Sequence, residues 1–292
     1  MTLFTGAGVA IVTPFKDGKV DFPSLGQLID WQISQEIDAI IICGTTGEAS
    51  TLNDKEHIET VQYAFEKANG RVPVIAGAGS NDTAHAVYMS KELEALGADG
   101  LLLVTPYYNK CTQKGLIQHY TKIADAVQIP IIVYSVASRT GVNISPSTVF
   151  ELSKHPNIVG IKEASGNISQ VVEIAKCIRE DFNLYSGNDD MIVPLLSVGG
   201  IGVISTVANI IPRDTHTMVM NYLSGDTKTA SKQQLEMKHL IDAMFIEVNP
   251  IPVKAALNMM GKIELEYRLP LCPPDEKSIE MIKKELAAYG LI

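Results

Sequence analysis

The chain has 292 residues, of which 46% are hydrophobic and 20% are charged, as is typical of a globular protein rather than a disordered one. Its formal net charge of −9 argues against nucleic acid or an anionic membrane surface as a partner, because both are negatively charged. The four cysteines are widely spaced and form no CxxC pair, which argues against a disulfide framework or a zinc site.

The amino-terminal stretch, MTLFTGAGVAIVTPFKDG, has no basic segment before its apolar run and is interrupted by Pro14. This pattern does not match a secretory signal peptide. No apolar run approaches the roughly 18 residues that a bilayer-spanning helix needs. We therefore expect a soluble, cytoplasmic protein that binds neither nucleic acid nor membrane.

Eight short apolar runs follow one another, each separated from the next by a longer amphipathic segment. They are rich in Val and Ile and continuous, as in strands buried on both faces. Eight alternations over about 225 residues predict a (β/α)₈ barrel, for which ~250 residues are typical. A doubly wound sheet is the alternative, but no GxGxxG or Walker sequence is present. The runs are AGVAIVTPF, DAIIICGTTGE, VPVIAGAGS, DGLLLVTPYY, IPIIVYSV, IVGIKEASG, FNLYSGND and GIGVISTVAN.

Two of the intervening segments carry helix-capping signals. In DKEHIETVQYAFEKANG, Asp54 is predicted as the N-cap and Gly70 as the carboxyl-terminal stop. In NDTAHAVYMSKELEALG, the helix is predicted to open at Asn81 or Asp82 and to close at Gly97. These signals support helices between the strands.

Beyond about Gly225 the strand pattern stops, and three helix-like segments follow, separated by NPIP and LPLCPP. We therefore predict two domains. Residues 1–225 form the α/β TIM barrel with the active site, and residues 226–292 form a small C-terminal three-helix domain.

In a barrel of this type, functional side chains follow the carboxyl ends of the strands. Here those ends read GTTGEAS, TPYYN, YSVASRTG, KEASGN and SGND. Hydroxyl groups, tyrosines, one arginine and one lysine should therefore meet on one rim. Carboxylates are few there and histidines are absent, so we expect neither a metal ion nor a cofactor.

Lys162 stands alone in the apolar run IVGIKEASG, where burial of an ammonium group is costly. It could be a strand-end lysine that pairs with Glu163 or reaches solvent. It could also be an amine kept partly unprotonated, able to attack a carbonyl carbon. The polar residues that converge on the same rim favour the second interpretation.

The other candidates on the rim also have structural interpretations. Thr45 and Thr46 could cap a helix, and Tyr108 could be an interface aromatic. Tyr134 could be a core tyrosine, and Arg139 could pair with a surface carboxylate. Their convergence beside Lys162 is what favours a catalytic role.

Five segments of the chain together resemble the dihydrodipicolinate synthase family, in order and over essentially the whole length. That family belongs to the pyruvate-dependent Schiff-base aldolases. The resemblance implies a (β/α)₈ barrel with a C-terminal helical domain and no cofactor. It also implies that pyruvate and L-aspartate 4-semialdehyde condense to 4-hydroxy-tetrahydrodipicolinate, in lysine and diaminopimelate biosynthesis. The segments are GTTGE at 44–48, Tyr134, SRTG at 138–141, GIKEASGN at 160–167 and NPIPVK at 249–254.

The resemblance also implies a role for each candidate. Lys162 would form an imine with pyruvate, and Tyr134, Thr45 and Tyr108 would form a proton relay. Tyr108 would come from the neighbouring subunit, in a homo-oligomer built from a dimer unit, most simply a homotetramer. The remaining residues would bind the substrates: Thr46, Gly187 and Ile204 the pyruvate, and Arg139 the carboxylate of aspartate semialdehyde.

The sequence departs from the family pattern in two places that matter. Ser135 and Ala137 replace the usual Asn and Pro before SRTG, and are expected to loosen the loop that carries Arg139. The second departure concerns the positions at which the family's lysine-inhibited members bind lysine. There, Asp54 and His85 replace the usual His and Glu, although His57 matches the family. A histidine cannot serve as the anion for a lysine ammonium. We therefore expect weak or absent inhibition by lysine.

Three rival functions remain. Another Schiff-base aldolase on the same barrel would share Lys162 and Tyr134 but normally lacks SRTG, so Arg139 favours the synthase. A metal-dependent aldolase would need clustered histidine and carboxylate ligands at the strand ends. A non-catalytic sensor of oxo-acids would not need the chemistry of Lys162.

Overall fold

The computed structural model describes residues 2–292, and at its centre eight parallel strands close into a barrel. Each strand pairs with the next along the chain, and the last pairs with the first, with Gly202 opposite Gly6. This confirms the predicted fold class. The strands are β1 (Gly6–Ala10), β2 (Ala39–Ile42), β3 (Val74–Gly77), β4 (Gly100–Val104), β5 (Ile131–Ser135), β6 (Ile158–Glu163), β7 (Asn183–Ser186) and β8 (Gly202–Ser205).

Helices connect the strands on the outside of the barrel. A small hairpin, Phe15–Lys16 with Lys19–Val20, precedes the first helix, and single 3₁₀ turns follow β2, β7 and β8 at Ala49–Thr51, Asp189–Met191 and Val207–Asn209. The helices are α1 (Phe22–Ser34), α2 (Asp54–Ala68), α3 (Thr83–Ala95), α4 (Gln113–Ala124), α5 (Ala137–Thr140), α6 (Pro146–Ser153), α7 (Ile168–Cys177), α8 (Ile192–Leu196) and α9 (Pro212–Leu223).

The caps of α2 and α3 explain where these helices begin. The predicted N-cap of α2, Asp54, is wrong by one residue, because Asn53 has the extended backbone and Asp54 is already helical. Asn53 forms a capping box in which its side chain and that of Glu56 each accept the other's backbone N–H. Asp82 caps α3, and Gly70 follows α2 in the left-handed conformation, both as predicted.

After α9 the chain forms four helices, whereas the sequence predicted three. The first predicted segment is divided at Met237, so that two helices follow each other directly. No strand follows β8 in the described part of the chain. The two-domain division remains a prediction, since α10 packs against α9 of the barrel and α12 packs against the turn after β8. The four helices are α10 (Thr227–Glu236), α11 (Lys238–Met244), α12 (Ile251–Met259) and α13 (Glu276–Tyr289).

The strands bury both faces, in keeping with their continuous apolar sequences. One core lies between the strands and the outer helices, and a second, smaller core fills the barrel interior. In the interior the ring of Tyr185 stacks on that of Phe4, with the centroids 4.6 Å apart, and its hydroxyl donates to the Phe4 carbonyl. Among residues 2–292, no helix has the length and apolar character needed to cross a membrane.

Candidate active site

Lys162 lies in the barrel wall on β6, between Tyr134 on β5 and Tyr185 on β7. It is only 6% exposed, and its Nζ lies 4.3 Å from the centre of the Tyr134 ring. Glu163 follows it in the strand and therefore points to the opposite face of the sheet. The Glu163 carboxylate accepts hydrogen bonds from the Ser165 backbone N–H and the Gln170 side chain. The interpretation of Lys162 as a solvent-reaching lysine or as a partner of Glu163 is therefore wrong.

Burial lowers the pKa of Lys162 to about 7. The positive charge of Arg139 lowers this pKa further, and the carboxylate of Asp189 opposes the shift. An unperturbed lysine has a pKa of about 10.4, so at neutral pH well under one amine in a thousand is unprotonated. At a pKa of about 7, roughly half of the Lys162 amines are unprotonated at neutral pH. An amine in this state does not need a dedicated base in order to attack a carbonyl carbon, although the role of Lys162 stays a prediction.

Tyr134 supplies a protonated hydroxyl beside this amine. Burial raises its pKa to about 12, although the charge of Arg139 and a hydrogen bond with Thr45 both oppose the shift. The phenol therefore keeps its proton at neutral pH and can exchange it with a bound group through Thr45. The structure brings Lys162, Tyr134 and Thr45 together as predicted.

Thr46 lies in the turn that follows β2 and is 2% exposed. Its Oγ1 accepts a hydrogen bond of 2.9 Å from the Asn249 side-chain amide and lies 3.4 Å from the Thr206 hydroxyl. The next residue, Gly47, accepts a hydrogen bond from the Thr13 hydroxyl through its carbonyl. Groups from three distant parts of the chain therefore fix this turn.

Gly187 borders Lys162, whereas the predicted role of Gly187 and Ile204 in lining a pyruvate pocket stays a prediction. The Gly187 N–H donates to the Glu163 carbonyl at 2.7 Å, and a Cβ at Gly187 would lie 3.1 Å from Cγ of Lys162 and 2.7 Å from Cβ of Ala164. A side chain there would have to displace the lysine or its neighbour. Ile204 on β8 is 1% exposed and belongs to the interior core.

Arg139 extends from α5 at the carboxyl end of β5, and its Nη2 donates to the Asn249 carbonyl at 3.2 Å. A hydrogen bond from the Thr105 hydroxyl to the Thr140 hydroxyl ties α5 to the end of β4. Ser135, one of the departures from the family pattern, donates to the Asn143 side chain. These contacts hold the Arg139 loop, and its predicted loosening remains a prediction.

Tyr108 does not join the cluster. Its side chain is 92% exposed, and its backbone has a φ of +69°, an uncommon conformation for a non-glycine residue. Within its own chain the tyrosine therefore has no role at Lys162. This position agrees with the prediction that it serves a neighbouring subunit, and it does not test that prediction.

A cavity of about 450 Å³ opens beside the cluster and is lined by both Tyr134 and Arg139. Its lining extends to Asp54, His57 and His85. The Asp54 carboxylate lies 3.0 Å from Nε2 of His85 and is therefore already engaged. This contact supports the expectation of weak lysine inhibition, which stays a prediction. No group of three or more His, Cys, Asp or Glu side chains able to hold a metal ion occurs within residues 2–292.

The sequence did not reveal Asp189, a buried carboxylate near Lys162. It accepts hydrogen bonds from the Ser205 hydroxyl at 2.5 Å and from the backbone N–H groups of Thr206 and Val207. Burial raises its pKa, and these hydrogen bonds oppose the rise. Its signal in the sequence was its place three residues after the end of β7.

Asn249 was also missed as a site residue. It contacts both Thr46 and Arg139, although it lies in NPIPVK, far from any strand. The rule that functional residues follow strand ends could not find it. Only its membership of a resembling motif marked it in the sequence.

A (β/α)₈ barrel that buries a partly unprotonated lysine against a tyrosine ring has the architecture of a Schiff-base aldolase. Comparison with known families identifies the branch. The model of the dihydrodipicolinate synthetase family matches residues 3–289, and the chain belongs to this family. The family predicted from the sequence is thereby confirmed.

The relatives agree over the full length of the chain. A 4-hydroxy-tetrahydrodipicolinate synthase of Caldicellulosiruptor saccharolyticus is 59% identical, with 100% of this chain and 99% of that protein covered. The chloride-inhibited dihydrodipicolinate synthase of Acinetobacter baumannii, solved with pyruvate, is 43% identical, with a TM-score of 0.97 and 100% of each chain covered. A monomeric dihydrodipicolinate synthase variant is 44% identical, with a TM-score of 0.98. The match covers 99% of this chain and 98% of that one.

The environment of Lys162 predicts how its reactivity depends on pH. Competitive acylation with trace acetic anhydride, quantified by peptide mass, should give Lys162 a midpoint near pH 7, because burial lowers its pKa to about 7. Exposed lysines should titrate near pH 10. In Asp189→Asn the midpoint should fall further, since the opposing carboxylate is removed. A midpoint near pH 10 for Lys162 would contradict the inferred environment.

Proposed function

We propose that the protein is a 4-hydroxy-tetrahydrodipicolinate synthase that condenses pyruvate with L-aspartate 4-semialdehyde. The observation that carries the proposal is the buried amine of Lys162, which lies 4.3 Å from the centre of the Tyr134 ring and whose pKa is lowered to about 7. The proposal draws further support from the names of the relatives, which cover the whole chain. The product belongs to lysine and diaminopimelate biosynthesis, and we place the enzyme in the cytoplasm.

In the proposed reaction the Lys162 amine attacks the ketone carbon of pyruvate to form a carbinolamine. Tyr134 donates the proton with which the hydroxyl group leaves as water, and Thr45 lies within hydrogen-bond reach to return it. The resulting protonated imine withdraws electrons and makes the methyl group acidic. The Tyr134–Thr45 pair takes up a methyl proton, which replaces the one spent in the dehydration, and the carbon of the resulting enamine attacks the aldehyde carbon of the second substrate.

The binding residues have complementary tasks in this proposal. Thr46, in the turn after β2, would hold the pyruvate carboxylate, an anion suited to the N–H groups of such a turn. Gly187 leaves space for the bound pyruvate beside Lys162, and Ile204 forms an apolar wall. The planar guanidinium of Arg139 would orient the carboxylate of aspartate semialdehyde.

We further propose that the active form is a homo-oligomer built from a dimer unit, most simply a homotetramer. The support lies in Tyr108, whose 92% exposed ring is of no use to its own chain. In a dimer the same surface patch meets its copy, so each Tyr108 would complete the relay of the partner. A monomeric variant is known among the structural neighbours, which makes the state of this chain a question for experiment.

The nucleophile can be identified by trapping. Incubation with pyruvate and cyanoborohydride should add the mass of a 1-carboxyethyl group, from reduction of the pyruvate imine, to Lys162 only, and only when pyruvate is present. Lys162→Arg should give no adduct and no turnover, because a guanidinium remains protonated at any working pH. Labelling of Lys254 instead, or no adduct in the unaltered protein, would contradict the proposal.

Arg139→Ala tests the second substrate. Loss of a charge-assisted contact costs about 1.5–3 kcal/mol, so kcat/KM for aspartate semialdehyde should fall about tenfold to a hundredfold. The pyruvate concentration for half-maximal trapping of Lys162 should stay within about twofold, since Arg139 is not assigned to pyruvate. If instead the pyruvate concentration for half-maximal trapping rises, Arg139 binds pyruvate and not aspartate semialdehyde.

Shared sites can be tested by complementation. Tyr108→Phe and Lys162→Ala should each be nearly inactive, and mixing them under conditions of subunit exchange should restore activity. A mixed dimer carries one complete site, so random exchange restores about one site in four. A mixture of Lys162→Ala with Tyr134→Phe provides the control, because both residues belong to the same chain's site and every site in the mixed dimer therefore still lacks one of them. Proven exchange without recovery would indicate a self-contained site.

A further inference from the structure

Two charged side chains outside the proposed chemistry are completely buried. Glu48 ends the turn after β2, and Lys254 lies in α12; both side chains are 0% exposed, and Nζ of the lysine lies 2.6 Å from Oε1 of the glutamate. The ammonium group also lies 4.4 Å from the centre of the Phe15 ring. A buried ion pair is a weak source of stability, because desolvation of both charges offsets their attraction. We therefore ask which backbone segments the Glu48–Lys254 pair holds in place.

The Glu48 end of the pair controls the turn that holds Thr46. Glu48 has a φ of +53°, a left-handed backbone that costs a non-glycine residue about 1–3 kcal/mol unless its surroundings impose it. Its backbone N–H donates to the Thr45 carbonyl and closes the turn. Its Oε2 is buried without a hydrogen-bond partner, so the carboxylate is anchored through Oε1 to Lys254.

The Lys254 end controls the segment that begins at Asn249. The Asn249 side chain donates to Thr46 Oγ1 at 2.9 Å, and its carbonyl accepts from Arg139 at 3.2 Å. Lys254 follows one helical turn later, and its backbone N–H donates to the Pro250 carbonyl. The segment 249–254 therefore contacts both Thr46 and Arg139. These are the two side chains that bind substrate carboxylates in the proposed function.

We propose that Glu48 and Lys254 form a positioning pair that fixes Asn249 against Thr46 and Arg139, and so sets the distance between the two carboxylate-binding sites. Neither residue touches a reacting atom; both act through the backbone that they hold. This inference rests on the proposed function. It follows that loss of the pair weakens substrate binding and leaves the reactivity of Lys162 toward bound pyruvate largely unchanged.

The test uses the double variant Glu48→Gln/Lys254→Met, which removes both charges and leaves none buried alone. Two quantities are measured by cyanoborohydride trapping of Lys162: the pyruvate concentration for half-maximal trapping, and the rate at saturating pyruvate. We expect the first to rise about tenfold and the second to stay within about twofold, as loss of one good polar contact predicts. Lys254→Met alone should have a larger effect, because it leaves the Glu48 carboxylate buried without a counter-charge.

The matched control is Glu56→Gln. Its partner Arg268 also ties the C-terminal segment to the barrel, with an Oε1–Nη2 distance of 2.7 Å, but neither residue contacts Thr46 or Asn249 through its side chain. This variant should lower Tm without changing half-maximal trapping. Should the double variant fail to fold, Glu48→Gln, which keeps the shape and a hydrogen bond, is judged on the same two quantities.

The outcomes separate the two proposals. An unchanged half-maximal concentration in a folded variant, beside normal trapping of the unaltered protein, would overturn the positioning role only. An equal shift in Glu56→Gln would also overturn it, because the effect would then reflect general loss of stability. Absence of any pyruvate adduct in the unaltered protein would overturn the proposed function itself.

Discussion

The burial of a single ammonium group inside the barrel is the constraint on which the rest of the site depends. Inward-facing positions of such a barrel form a packed apolar interior, and Lys162 occupies one of them at 6% exposure. A lone buried charge must be paired or neutralised. Here Glu163 faces away, and the Asp189 carboxylate is occupied by Ser205 and two backbone N–H groups. The amine therefore loses its proton readily, as the proposed nucleophilic role requires.

The charges near Lys162 adjust this effect rather than cause it. Arg139 lowers the pKa of the amine and Asp189 raises it, and both contributions are smaller than that of burial. The same Arg139 charge opposes the rise in the pKa of Tyr134. Proton donor and nucleophile are thus set apart by about five pKa units, at about 12 and about 7, mainly because burial acts oppositely on an acid and on a base.

Local sequence was enough to predict the barrel and the buried position of Lys162, because continuous Val and Ile runs and one isolated lysine are local signals. Contacts between distant segments left no such signal. Asn249 reaches Thr46 across 203 positions of the chain, and no periodicity indicates that contact. The break between α10 and α11 at Met237 was missed because neither Gly nor Pro marks it. The N-cap of α2 was misplaced by one residue because Asn53 and Asp54 are both good caps.

The protein buries two lysines, and their different surroundings underlie the different roles that we propose for them, nucleophile for Lys162 and positioning residue for Lys254. Burial lowers the pKa of both, but at Lys254 a hydrogen-bonded carboxylate at 2.6 Å directly opposes the effect. At Lys162 no carboxylate within residues 2–292 makes such a contact, and the amine lies 4.3 Å from the centre of the Tyr134 ring. A buried lysine without a paired anion is the reactive one. The difference between the two lysines therefore lies in the Glu48 carboxylate, which favours the protonated, charged form of Lys254.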